Sequence, residues 1–114
     1  MSENCLFCKI VNGTLEADFL LETENIVAFR DINPVAPVHI LIIPKKHIAS
    51  LAHLEEEDES LMGEIVKATS DLADQEGLAE GYRVVVNTGS HGGQSVAHLH
   101  FHLIGGRSLQ WPPG

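Results

Sequence analysis

The chain has 114 residues, 44% of them hydrophobic, which suffices for one globular domain and leaves no room for a second. Its net charge is −9, with seven lysines and arginines against sixteen acids. That balance argues against a general DNA or RNA binder, whose affinity draws on cations facing phosphates, but not against binding one nucleotide in a local nest of donors.

No apolar run is long enough to span a bilayer, so no membrane partner is expected. Met1-Ser2-Glu3-Asn4 shows no basic region leading into an apolar run, so no secretory signal is read and a soluble, cytoplasmic protein is expected. Cys5 to Val11 is a mixed apolar stretch ended by Asn12-Gly13 and reads as one or two helical turns. Phe19 to Glu22 and Ile26 to Arg30 read as short strands joined by Thr23-Glu24-Asn25. Val38 to Ile43 is the strongest strand signal, β-branched and flanked by Pro37 and Pro44. It lacks polar alternation, so cover on both faces is expected.

The acidic run Glu55 to Glu59 suits the positive end of a helix dipole. Leu61, Ile65, Ala68 and Leu72 then recur at helical spacing, with Met62, Val66 and Ala73 beside them, and Gly77 reads as the cap. Tyr82 to Asn87 is a further strand, and Thr88 to Gln94, with Gly89, Gly92 and Gly93, is a tight loop. Strands, one long helix, then more strands predict an α+β fold with an antiparallel sheet, and a single domain over 1–114.

His98-Leu99-His100-Phe101-His102, followed by Leu103-Ile104, carries the chemistry. On a strand, alternate side chains share a face, so three imidazoles would line one side with Leu99, Phe101 and Leu103 behind them. Three readings stay open from spacing alone. The rings form a solvated face, or a pair of them binds a metal, or one acts as a nucleophile while its neighbours contact an anion. One ion on all three is harder, because about 13 Å of strand separates the outer two. The preceding loop, Asn87 to Ser95, adds small residues and donors that let backbone N–H groups approach a phosphate. There is no P-loop pattern and no carboxylate cluster for magnesium.

Gln94-Ser95-Val96-Ala97-His98-Leu99-His100-Phe101-His102-Leu103-Ile104 resembles the signature of the histidine triad (HIT) superfamily. Asp31 to His39, Ile43 to Ile48, Gly81-Tyr82-Arg83 and the ending Gly105-Gly106-Arg107…Trp111-Pro112-Pro113-Gly114 resemble segments of its HINT branch. The resemblance spans nearly the whole chain. It implies a HIT-like fold of about five antiparallel strands with one long and one short helix, merged across a homodimer. It also implies purine nucleoside phosphoramidase activity without a catalytic metal, cleaving P–N bonds of AMP or GMP amides through a covalent nucleotidyl-histidine. Other HIT branches hydrolyse dinucleoside polyphosphates, and a nucleotide-binding scaffold with incidental catalysis is a further alternative.

On that resemblance His100 matches the nucleophile. His102, His39 and His98 complete the histidine set, and Ser95, Gln94, Gly93 and Asn87 match polar contacts near the phosphate. Asp31 matches the ribose carboxylate. Leu6, Phe7, Ile10, Phe29 and Ile32 match the slot for the base, and Trp111 matches a residue that reaches the partner's site on the leaving-group side. Without the resemblance, His39, Phe7, Ile10 and Phe29 read as core and Asp31 as a turn residue. His53 and His91 are read as exposed and without a role. Some HIT proteins hold a structural zinc at positions matching Cys5, Cys8, His47 and His98; two thiolates and two imidazoles suit tetrahedral zinc, the alternative being two reduced thiols packed as small hydrophobes.

Overall fold

The computed structural model describes residues 4–114. A five-stranded antiparallel sheet is built from β1 (Phe19–Glu22), β2 (Ile26–Arg30), β3 (Val38–Pro44), β4 (Tyr82–Val86) and β5 (Phe101–Gly105), in the order β1-β2-β3-β5-β4. One long helix, α2 (Glu59–Gln75), covers one face. The short helix α1 (Leu6–Val11) packs on the other.

β3 lies at the centre because its side chains are apolar on both sides. Ile40 and Ile42 join Ile65, Leu72, Leu99, Phe101 and Leu103 in the core under α2. Leu41 and Ile43 join Phe7, Cys8, Val27 and Phe29 in a second core under α1. β3 is therefore covered twice, as its unbroken β-branched run requires.

α2 begins after a 3₁₀ turn at Glu56–Asp58, where Glu55 and Asp58 cap each other's backbone N–H groups. It ends in a Schellman motif. Gly77 takes φ +72°, which a Cβ disfavours, and Leu78 N–H returns to the Ala73 carbonyl. Ile65, Ala68, Leu72 and Ala73 face the sheet, whereas Val66 lies outside that stripe and is exposed.

Two strand ends differ from expectation. The fourth strand stops at Val86 rather than Asn87, and the histidine strand begins at Phe101 rather than His98. Phe101 is the last residue paired on both sides, to Ile42 and Val86. Beyond it β4 turns into the glycine loop. Leu99 N–H instead donates to the Ile48 carbonyl. The segment stays extended enough to keep the alternation. Leu99, Phe101 and Leu103 enter the core under α2, while the three imidazoles turn to the α1 face. Of the three histidines, His102 alone belongs to the ladder.

Candidate active site and metal-ligand cluster

The histidines are ordered by hydrogen bonds that assign their protons. His100 Nδ1 lies 2.7 Å from the His98 carbonyl oxygen. A carbonyl only accepts, so the Nδ1–H donates and the lone pair of neutral His100 is on Nε2. The ring is 4% exposed, yet it lines a cavity of about 840 Å³. Phe7 packs edge-on against it at 5.1 Å between centroids.

His39 and His102 form a second pair. Val35 N–H donates to His39 Nδ1 at 3.2 Å, so neutral His39 carries its proton on Nε2. That nitrogen lies 2.9 Å from His102 Nδ1 and 3.4 Å from Asp31 Oδ2. His102 Nδ1 accepts, which puts its own proton on Nε2. This Nε2 is buried without a partner among the described residues. A buried donor left unpaired costs stability and marks a place where an acceptor belongs. Burial, with smaller contributions from His100 and His39, pushes the His102 pKa down to about 4, so the ring is neutral at physiological pH. Asp31, His39 and His102 stand close enough to share a cation. The proton on His39 Nε2 points into that space, however, and makes the group a hydrogen-bonded chain instead.

Asp31 follows β2. One of its oxygens accepts from Asn33 N–H at 2.8 Å in a local turn, and the carboxylate keeps acceptor capacity toward the cavity.

Of the residues read from the sequence, the fold brings Leu6, Phe7, Ile10, Phe29, Asp31, Ile32, Ser95, His100 and His102 to this one cavity. Ile32 sits on the rim, 92% exposed. His39 and His98 are buried behind the cavity wall. Asn87, Gly93 and Gln94 do not line the cavity. The Gln94 side chain is occupied: its amide N–H groups donate to the Ala49 and Val96 carbonyls, and its oxygen accepts from Gly89 N–H. Gln94 therefore pins the glycine loop and is not free to contact a phosphate. Trp111 is 80% exposed, away from the cavity of its own chain. His53 takes a structural bond from Ser50, 2.8 Å away. Leu15, Glu16, Ala17, Asp18 and Leu20 also wall the cavity. Sequence reasoning missed them because the turn before β1 carries no motif, and only the Phe19–Phe29 pairing brings it beside β2.

Cys5, Cys8, His47 and His98 converge, their ligand atoms all within 4.8 Å of one another. His98 Nε2 lies 2.8 Å from the Pro44 carbonyl and donates to it, so Nδ1 offers its lone pair to the cluster. Burial lowers the His98 pKa, which favours the neutral, ligating form. A tetrahedral zinc about 2.3 Å from sulfur and about 2.0 Å from nitrogen separates S from N by about 3.5 Å and N from N by about 3.3 Å. The cysteine–imidazole separations are 3.2, 3.4 and 3.6 Å, and the two Nδ1 atoms are 3.2 Å apart. Cys8 N–H also donates to Cys5 Sγ, as suits a thiolate. The donor set fits zinc.

Comparison with known proteins agrees with this architecture. The HIT domain family model matches residues 12–109. The chain is 53% identical to an uncharacterized HIT-like protein of Synechococcus elongatus over the full length of both. It superposes on the crystal structure of a HIT family hydrolase from Legionella pneumophila Philadelphia 1 with a TM-score of 0.95, at 54% identity, covering 97% of this chain and all of that one. A histidine triad nucleotide-binding protein from Candida albicans aligns with a TM-score of 0.82 at 34% identity, over 96% of this chain and 83% of that one.

Proposed function

The chain belongs to the HIT domain family, and on that premise we propose that it hydrolyses purine nucleoside 5′-phosphoramidates through a nucleotidyl-histidine intermediate. The observation that carries this is the pair of opposed proton assignments in one cavity. His100 presents a lone pair on Nε2, and His102 presents a buried, unpaired Nε2–H.

His100 Nε2 attacks the α-phosphorus, and the P–N bond breaks as the nitrogen takes a proton from solvent in the open cavity and leaves as the amine, a proton that the later hydrolysis by water returns. The His98 carbonyl holds the Nδ1–H and so stabilises the cation that develops on the ring. His102 Nε2–H donates to a phosphoryl oxygen and offsets the charge gathering there. His39, held by Val35 N–H, fixes the tautomer of His102. Burial keeps His102 neutral at rest, so its Nε2–H acts as a hydrogen-bond donor to the phosphoryl oxygen. Water then attacks the phosphorus of the intermediate, releasing the nucleoside monophosphate and restoring His100.

Asp31 accepts from the ribose hydroxyls, Phe7, Ile10, Phe29 and Leu6 enclose the base, and the exposed Ser95 hydroxyl contacts the phosphate or the leaving group. Cys5, Cys8, His47 and His98 would hold a zinc in a structural role, tying α1 to the segment that carries His100. A homodimer fits the exposed Tyr82 and Val84 on the edge strand β4 and the exposed Trp111. Among the described residues, no helix is long and apolar enough to cross a membrane.

Polyphosphate substrates fit less well. Arg30, the one cation on the cavity wall among the described residues, is held by Glu76 through bonds of 2.9 and 3.1 Å. Among the described residues, a dinucleoside polyphosphate would find no free lysine or arginine there. The test is kcat/KM for AMP and GMP amides beside diadenosine polyphosphates. At least a hundredfold preference for the amides is expected, and a preference for the polyphosphates refutes the assignment.

A further inference from the structure

The cavity runs across the sheet. One end lies at His100 and His102, where β5 begins, and the other is walled by Leu15, Glu16, Ala17, Asp18 and Leu20 around the start of β1. The strands from β5 to β1 are consecutive neighbours through β3 and β2. Three inter-strand spacings, about 14 Å, therefore separate the two ends. Asp31, just past β2, stands between them. A nucleotide with its phosphorus at His100 and its ribose at Asp31 directs its base toward β1. The apolar Phe7, Ile10 and Phe29 enclose that path.

At the β1 end two carboxylates, Glu16 and Asp18, are exposed and line the cavity. Neither has a hydrogen bond or ion pair with any described residue. All seven lysines and arginines lie elsewhere or are committed: Lys9 does not line the cavity, and Arg107 donates to the Val35 carbonyl. Arg30, Lys45, Lys46 and Lys67 are ion-paired, and Arg83 donates to the Gln110 carbonyl. The base end of the cavity is thus apolar on its walls and rich in acceptors at its edge.

We propose that Glu16 and Asp18 select guanine over adenine in this cavity, an assignment that rests on the nucleotide-hydrolase reading above. Guanine presents N1–H and the 2-amino group side by side, and the two oxygens of a carboxylate accept both. Adenine turns the N1 lone pair toward the same charge and offers one amino group. Hypoxanthine keeps N1–H and lacks the 2-amino group, so it ranks between them. A contact that recognises donors discriminates against a base lacking them more strongly than an apolar slot can. Both carboxylates face solvent, so discrimination of about tenfold is expected, at the low end for a bidentate base contact.

The experiment compares GMP, IMP and AMP binding by calorimetry. Alongside it, kcat/KM is measured for the guanosine, inosine and adenosine 5′-phosphoramidates of one amine. Wild type and the Glu16→Ala/Asp18→Ala double variant are used, with melting temperatures to show that both are folded. The wild type should rank guanine above hypoxanthine above adenine, and the double variant should bring the guanine-to-adenine ratio near one. Equal values for guanine and adenine in the wild type, or an unchanged ratio in the double variant, overturn the assignment and leave the hydrolase reading intact. Failure to bind or turn over any of the three overturns both.

Discussion

Lowering the pH from 7 to 5 weakens this fold in part through His102, whose share a substitution isolates. His102 has an ordinary pKa of 6.5 in the unfolded chain and one of about 4 in the folded chain, mainly because it is buried, and then because His100 and His39 adjoin it. The unfolded state therefore binds more protons between these values. The resulting stability is fully present above pH 6.5 and is lost as the pH falls toward 4. For a single site with these two pKa values, the loss between pH 7 and pH 5 is about 2 kcal/mol. Part of the residue faces solvent, which screens the effect and reduces it to about 1 kcal/mol. For a domain of this size that lowers the melting temperature by about 4 °C. The assay is thermal or urea unfolding of wild type and His102→Gln at pH 7, 6 and 5. The wild type should lose about 1 kcal/mol more than the variant across that range. Identical pH slopes would refute the buried, neutral His102 on which the proton assignments depend.

Three further substitutions or treatments probe separate parts of the site. His100→Ala should retain AMP binding in calorimetry while single-turnover hydrolysis of an adenosine phosphoramidate falls at least about a thousandfold, since the nucleophile is deleted. Phe7→Ala removes a ring that is 4% exposed and packed at 5.8 Å against Phe29 and 5.1 Å against His100. It should cost about 3 kcal/mol in urea unfolding and raise KM for nucleotide substrates. Elemental analysis of protein purified without added metal should show about one zinc per chain. Chelation should then speed hydrogen exchange of the α1 amides, because a six-residue helix does not persist without its tether. Metal-free protein with unchanged exchange would favour the reduced-thiol alternative.

The sheet and helix were legible because their signals are local. The β-branched run of β3, the helical spacing of Leu61 to Leu72 and the glycine at 77 each imply their structure within a few residues. Alternation along His98 to Leu103 correctly separated the imidazole face from the core face, yet it overstated the strand. Ladder pairing depends on where β3 and β4 end, which is a property of distant residues. The roles of the loop polar groups were less legible for the same reason. The composition of Asn87 to Ser95 suggested donors for a phosphate. The Gln94 amide instead bonds Ala49, 45 residues away, and that bond has no local signature. The Val35–His39–His102 chain and the orphaned His102 Nε2 likewise appear only once β3 and β5 are paired. Glu16 and Asp18 follow no recognisable motif and reach the cavity through the pairing of β1 with β2.

The stereochemistry at phosphorus tests the proposed chemistry most directly. Attack by His100 Nε2 followed by attack of water makes two in-line displacements, each inverting the centre. Hydrolysis of a P-chiral, isotopically labelled nucleoside phosphoramidate should therefore proceed with net retention. Net inversion would mean that water attacks the phosphorus in a single step, and that no bond between His100 and phosphorus forms.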